Sequence, residues 1–120
     1  MRILIVDDSK AMRSIVRRDL RQAGFSGHDF EEVANGEEAM NAVDAGAFDL
    51  ILCDWNMPVK SGIEFLTELR AKGNQTPFVF ITSEGTPEMK QRAEDAGANS
   101  LIAKPFTPEK FESVLGEYIH

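Results

Sequence analysis

The sequence predicts an α/β fold, (βα)5, with five parallel strands in a doubly wound sheet and helices on both of its faces. Strand-like and helix-like runs alternate five times, glycine follows four of the five helical runs, and polar residues gather where the strands end. Strands covered on both faces read as nearly unbroken apolar runs rather than as alternating ones.

The first strand is Ile3-Leu4-Ile5-Val6, which runs into Asp7-Asp8. In the helix after it Met12, Ile15, Val16 and Leu20 form one stripe, and Gly24 stands at its end. The second strand is Phe30 to Ala34, and Glu31 and Glu32 within it mark a sheet edge. Asn35, with Glu38 three residues on, caps the second helix, which stops at Gly46. The third strand, Leu50 to Cys53, ends in Asp54, and its helix stops at Gly73. The fourth, Phe78 to Ile81, ends in Thr82-Ser83-Glu84. Thr86-Pro87 opens the next helix, an N-cap followed by proline at the first helical position, and Gly97 closes it. The fifth strand, Ser100-Leu101-Ile102, passes through Ala103 into Lys104-Pro105. Thr107-Pro108 starts the last helix, where Phe111, Val114, Leu115 and Tyr118 keep the i, i+3, i+4, i+7 rule. At each glycine stop a left-handed residue is the expected closure of the last turn.

A chain of 120 residues has room for one continuous core, so residues 1–120 are read as one domain. With 42% apolar and 28% charged residues it is globular, and its longest apolar run is too short to cross a bilayer. The N-terminus enters a strand pattern directly, without the apolar stretch and cleavage site of a secretory signal, which points to the cytoplasm. Cys53 is the only cysteine, so neither a disulfide nor a cysteine-ligated zinc is expected, and its apolar neighbours make it a buried thiol. A net charge of −7 with no basic face excludes direct nucleic-acid binding. His28 and His120 have no companions for metal or acid-base chemistry and are read as solvated. Met12, Met40 and Met89 are read as core or interface residues, Met57-Pro58 as shaping a turn, and Trp55 as a partly exposed neighbour of the site.

Open parallel sheets bind ligands at the carboxyl ends of their strands. That edge here carries three carboxylates (Asp7, Asp8, Asp54), the hydroxyl pair Thr82-Ser83 and the amine of Lys104. Carboxylates crowded into a partly desolvated crevice repel, and either take up protons or need a cation. Hard oxygen ligands in a site with room for phosphate oxygens suit Mg²⁺, with Mn²⁺ as a substitute, better than zinc or calcium. Asp54, on the central strand, is then the nucleophile toward a phosphoryl group, while a hydroxyl and an amine balance charge on the transferred oxygens.

Taken together, Ile5-Val6-Asp7-Asp8, Asp54-Trp55-Asn56-Met57-Pro58, Thr82-Ser83 and Lys104-Pro105-Phe106 resemble the receiver domains of two-component response regulators, across the whole chain. The similarity is greatest to stand-alone chemotaxis regulators of the CheY type. It implies a flavodoxin-like sheet in the order 2-1-3-4-5, an order for which that type is a known example. It implies that Asp54 is phosphorylated from a histidine kinase or phosphotransfer protein, with Asp8, Asp54 and the backbone carbonyl of Asn56 as Mg²⁺ ligands and Asp7 holding a metal-bound water. Thr82 would bring its hydroxyl to a phosphoryl oxygen and Lys104 would pair with another. The Lys104-Pro105 bond would be cis, and Asn56 and Glu84, with Ser83 nearby, would tune the lifetime of the aspartyl phosphate. The chain departs from the family at Leu101, where an aromatic ring that turns inward on activation is common. Leucine can repack into space vacated by Thr82 but offers no hydroxyl, which implies a different movement of the output face.

Other readings compete. A haloacid-dehalogenase-type, Mg-dependent aspartate-nucleophile phosphatase wants a second Asp two residues past its nucleophile, and the positions two beyond Asp7 and Asp8 hold Ser9 and Lys10. A flavodoxin-like carrier or nucleotide binder wants a phosphate loop after the first strand, and none is present. A degenerate receiver that only binds partners would lack the complete acceptor set, and a phosphorelay intermediate would keep it. The expectation is a monomeric switch, an enzyme only toward its own phosphorylation and dephosphorylation. Lys10, Ala11, Met12, Ser14 and Ile15 would dock the phosphodonor. Helix 4, strand 5 and helix 5 would contact a protein target such as a flagellar motor switch component.

Overall fold

The structure, a computed structural model, describes residues 1–25, 27–55, 57, 60–104 and 107–116. Expectations for Asn56, Pro58, the Lys104-Pro105 bond, Phe106, Tyr118 and His120 lie outside the described residues. The elements follow in the order β1 (Arg2–Val6), α1 (Lys10–Gln22), β2 (Asp29–Val33), α2 (Gly36–Ala45), β3 (Leu50–Asp54), α3 (Gly62–Ala71), β4 (Phe78–Thr82), α4 (Pro87–Ala96), β5 (Ser100–Ala103) and α5 (Pro108–Leu115). All pairings are parallel and the sheet order is β2-β1-β3-β4-β5. Asp54, Thr82 and Ala103 are themselves the last strand residues, and β2 stops one residue short of Ala34.

Successive residues of a strand point to opposite faces, so each apolar run supplies two cores. On one face Leu4, Val6, Ile51, Cys53, Phe78 and Phe80 pack with Met40 of α2, Phe65, Leu66 and Leu69 of α3 and Ala93 of α4. On the other, Ile3, Ile5, Leu50, Leu52, Val79, Ile81 and Ile102 meet Val16 and Leu20 of α1 and Phe111 and Leu115 of α5. Removing each such Leu, Ile or Phe from water contributes about 1.5–3 kcal/mol. β2 carries Glu31 and Glu32 and lies at the edge, as read from the sequence.

Helix starts follow the local chemistry. The side chains of Ser9, Asn35, Ser61, Thr86 and Thr107 each accept the backbone N–H three residues on. Ser61 and Glu64 form a complete capping box. Gly24, Gly73 and Gly97 adopt positive φ after their helices. Gly46 does not: its φ of −169° is extended, and a Cβ there would lie 2.7 Å from Nη1 of Arg2, so close approach rather than handedness favours glycine. Trp55 is buried at 6% exposure, not partly exposed, because its ring packs 4.7 Å from Phe80. His28 is half-buried, with Nδ1 3.2 Å from the N-terminal amine, so it has a partner that its place in a loop does not reveal.

Candidate phosphoacceptor and cation site

β1 and β3 are adjacent while β2 turns off to the far side of β1, so the carboxyl ends of β1 and β3 flank the point where the strand order reverses. Asp7 and Asp8 leave the end of β1, and Asp54 ends β3 beside them. Oxygens of the three carboxylates lie within 4.8 Å of one another, the one acidic group of this kind among the described residues. β4 pairs with the other side of β3, setting Asp54 opposite Ile81, and Thr82 lies opposite Ala103 of β5. Lys104, the next residue, reaches back so that Nζ is 3.8 Å from Oδ1 of Asp54, while its N–H donates to the carbonyl of Thr82 at 2.6 Å. Five residues from the ends of four strands thus meet at one edge, as their strand-end positions predict.

Their surroundings differ. Asp7 is buried, Asp54 half-buried and Asp8 exposed. Burial pushes the Asp54 carboxyl from 3.8 up to about 6, with the charges of Asp7 and Asp8 adding to the rise and Lys104 opposing it. Burial also raises Asp7, against the N–H that Ser9 donates to its Oδ1 at 2.9 Å. Raised pKa values mean that the negative charge is under-compensated, which is the condition that a divalent cation relieves. The hard oxygen donors of Asp7, Asp8 and Asp54 fit Mg²⁺.

Thr82 is fully buried, and its hydroxyl accepts the N–H of Glu84 at 3.2 Å. Ser83 and Glu84 are exposed in the β4–α4 loop. Leu101 is half-buried against the Phe80 side of the core and lines a cavity of about 180 Å³ with Lys90, Glu94 and Ser100. Cys53 is buried without a disulfide, and burial together with Asp54 and Asp7 drives its thiol pKa well above 9.0.

Two supporting residues went unread in the sequence. Gly62 opens α3 so close to β3 that a Cβ would overlap the carbonyl oxygen of Asp54 and lie 2.9 Å from Phe80. The Ser61-x-x-Glu64 capping box was a legible signal for that helix start. Arg13 on α1 donates from Nη1 to the carbonyl of Asp7 at 2.6 Å, a contact that no sequence spacing announces.

The response regulator receiver domain family matches residues 3–115. The chain belongs to that family. This receiver is 39% identical over 123 residues to the chemotaxis protein CheY1 of Helicobacter pylori, covering 97% of this chain and 98% of that protein. It superposes on the crystallised chemotaxis protein CheY4 of Vibrio cholerae with a TM-score of 0.87 at 35% identity, covering 98% of each chain. The receiver domain of a Pseudomonas aeruginosa sensor histidine kinase, solved with a magnesium ion coordinated in its active-site cleft, gives a TM-score of 0.84 at 27% identity, covering 98% of this chain and 95% of that one. The receiver is a signalling switch of the response-regulator kind, and among its described residues no helix is long and apolar enough to cross a membrane.

Proposed function

We propose that Asp54 accepts a phosphoryl group from the phosphohistidine of a histidine kinase or phosphotransfer protein, in a Mg²⁺-dependent reaction of which the receiver is both catalyst and substrate. The observation that carries this is the convergence of Asp7, Asp8, Asp54 and Lys104 at the β1/β3 reversal, with the Asp54 carboxyl raised to about 6. At neutral pH that carboxylate is ionised and more basic than an ordinary aspartate. An oxygen of the Asp54 carboxylate attacks phosphorus as the P–N bond to the donor imidazole breaks, and the departing imidazole nitrogen takes its proton from solvent. Asp8, Asp54 and the carbonyl of Asn56 would hold the cation, with Asp7 acting through a water. Bound there, Mg²⁺ would offset the carboxylate charge and the charge on the transferred oxygens.

Lys104 is close enough to Asp54 to take up a phosphoryl oxygen as a counterion, and Thr82 stands at the adjacent strand end with a hydroxyl to donate. The product is an acyl phosphate that water hydrolyses to inorganic phosphate, so the signal expires; Asn56, Glu84 and Ser83 tune its lifetime. The output is by protein contact in the cytoplasm through α4, β5 and α5. A chemotaxis pathway with a flagellar motor switch component as target is supported by the relatives named as chemotaxis proteins. Leu101 beside the α4–β5 cavity gives this output face an aliphatic side chain instead of a ring. Incubation with acetyl phosphate tests the reaction: intact mass should gain one phosphoryl group with Mg²⁺ and none with a chelator. Equal labelling under both conditions would overturn the metal-dependent reading.

A further inference from the structure

Outside the polar cluster itself, the Arg13 guanidinium is held by two partners close to it. Nη1 donates to the main-chain carbonyl of Asp7 at 2.6 Å, and Nε donates to Oε1 of Glu32 at 3.2 Å. The other oxygen of Glu32 accepts Nη1 of Arg17 at 2.7 Å, so α1 grips β2 through one carboxylate with two arginines. The Arg13 side chain is only 16% exposed and that of Glu32 23%, which places the pair where solvent screens less than at an open surface. The Asp7 N–H, in turn, donates to the carbonyl of Val33 on β2. Both polar groups of the Asp7 backbone are therefore held, one by β2 and one by α1.

The carbonyl that Arg13 holds belongs to the peptide joining Asp7 to Asp8. Fixing that plane fixes the directions in which the two side chains leave the chain. Asp7 is further set by the Ser9 N–H, but Asp8 is exposed, so its aim depends chiefly on the backbone. We infer that Arg13 is a positioning residue for the acidic pair, and that Glu32 with Arg17 holds its guanidinium plane in place. This rests on the reading of Asp7, Asp8 and Asp54 as a cation site.

The sign of the effect separates positioning from charge. Removing a cation beside a cation site tightens metal binding on Coulomb grounds, whereas losing a residue that orients ligands weakens it, typically by about 10-fold or more. Mg²⁺ affinity should be measured by calorimetry at neutral pH, well below each melting point, for the wild type, Arg13→Met, Arg13→Lys and Arg21→Gln. The expected result is about 10-fold weaker binding for Arg13→Met, partial recovery with lysine, and no weakening for Arg21→Gln, an equal loss of charge elsewhere on α1. Unchanged or tighter binding by Arg13→Met would overturn the inference. If that variant fails to fold, Glu32→Asp, which keeps the charge and shortens the reach to Arg13, replaces it, with weaker binding expected and unchanged binding overturning. A metal-free readout accompanies these: Arg13→Met should speed hydrogen exchange of the Ser9 amide relative to β3 amides, and equal exchange counts against the inference. Were the wild type itself to bind no Mg²⁺, the cation-site reading would fail, while the exchange comparison would still decide the role of Arg13.

Discussion

Asp54 is held at a pKa of about 6 by burial and by two carboxylate neighbours, and this has a cost with a definite sign. An acid whose folded pKa lies above its unfolded value favours the fold fully below the unfolded pKa, and that advantage is lost as pH rises through the folded one. For Asp54 the window runs from 3.8 to about 6. Asp54→Asn should therefore raise the melting temperature at neutral pH in the absence of divalent cations and flatten its pH dependence across that window. Thermal scans of both proteins from pH 4 to 7.5 (~3.5 pH units, spanning the ordinary carboxylate range) check this; equal melting temperatures at neutral pH would contradict it. Cys53 offers a second test at this scale. Buried, with a strongly raised pKa, it should resist thiol reagents in the native protein and react on unfolding. Rapid native labelling would contradict its burial.

At the scale of elements, two glycines that look alike in sequence are separated by what surrounds them. Gly62 meets the Asp54 backbone, which cannot give way without moving the nucleophile, whereas Gly46 meets only the far end of the Arg2 side chain. Gly62→Ala is expected to cost more than about 2 kcal/mol and to impair phosphorylation, and Gly46→Ala to stay within about 0.5 kcal/mol. Denaturant melts of both variants measure this. Sequence reading reached the elements because caps, breakers and apolar periods are local, and it missed Gly46's conformation and Trp55's burial because both depend on chain segments far away. Trp55 follows a polar strand end, yet its ring is claimed by Phe80 of β4 and lies 5.5 Å beneath the Arg92 guanidinium of α4. The same limit hid Arg13: its donation to Asp7 depends on how α1 packs, while the strand-end carboxylates were legible because parallel topology alone delivers them to one edge.

Across the whole molecule, proton and metal binding at the carboxylates are linked. A ligand that binds only the folded state adds about 2.7 kcal/mol at a hundred times its dissociation constant. Mg²⁺ should raise the melting temperature at neutral pH, and the increment should shrink as pH falls below about 6, where protons occupy Asp54. Asp8→Asn should reduce the increment at every pH. A magnesium effect of the same size at pH 4.5 (roughly one and a half units below the raised pKa, where a carboxyl is mostly protonated) would contradict the linkage. The net charge of −7 makes nonspecific stabilisation by salt a rival cause, so matched ionic strength in NaCl is the comparison.

The central claim is that one particular side chain forms an acyl phosphate, and borohydride chemistry reads that directly. After phosphorylation with acetyl phosphate and Mg²⁺, reduction turns an aspartyl phosphate into homoserine, which peptide mass spectrometry locates. The expected result is homoserine at position 54 alone, absent without Mg²⁺ and absent in Asp54→Asn. Homoserine at position 7 or 8, or undiminished labelling of Asp54→Asn, would contradict the account.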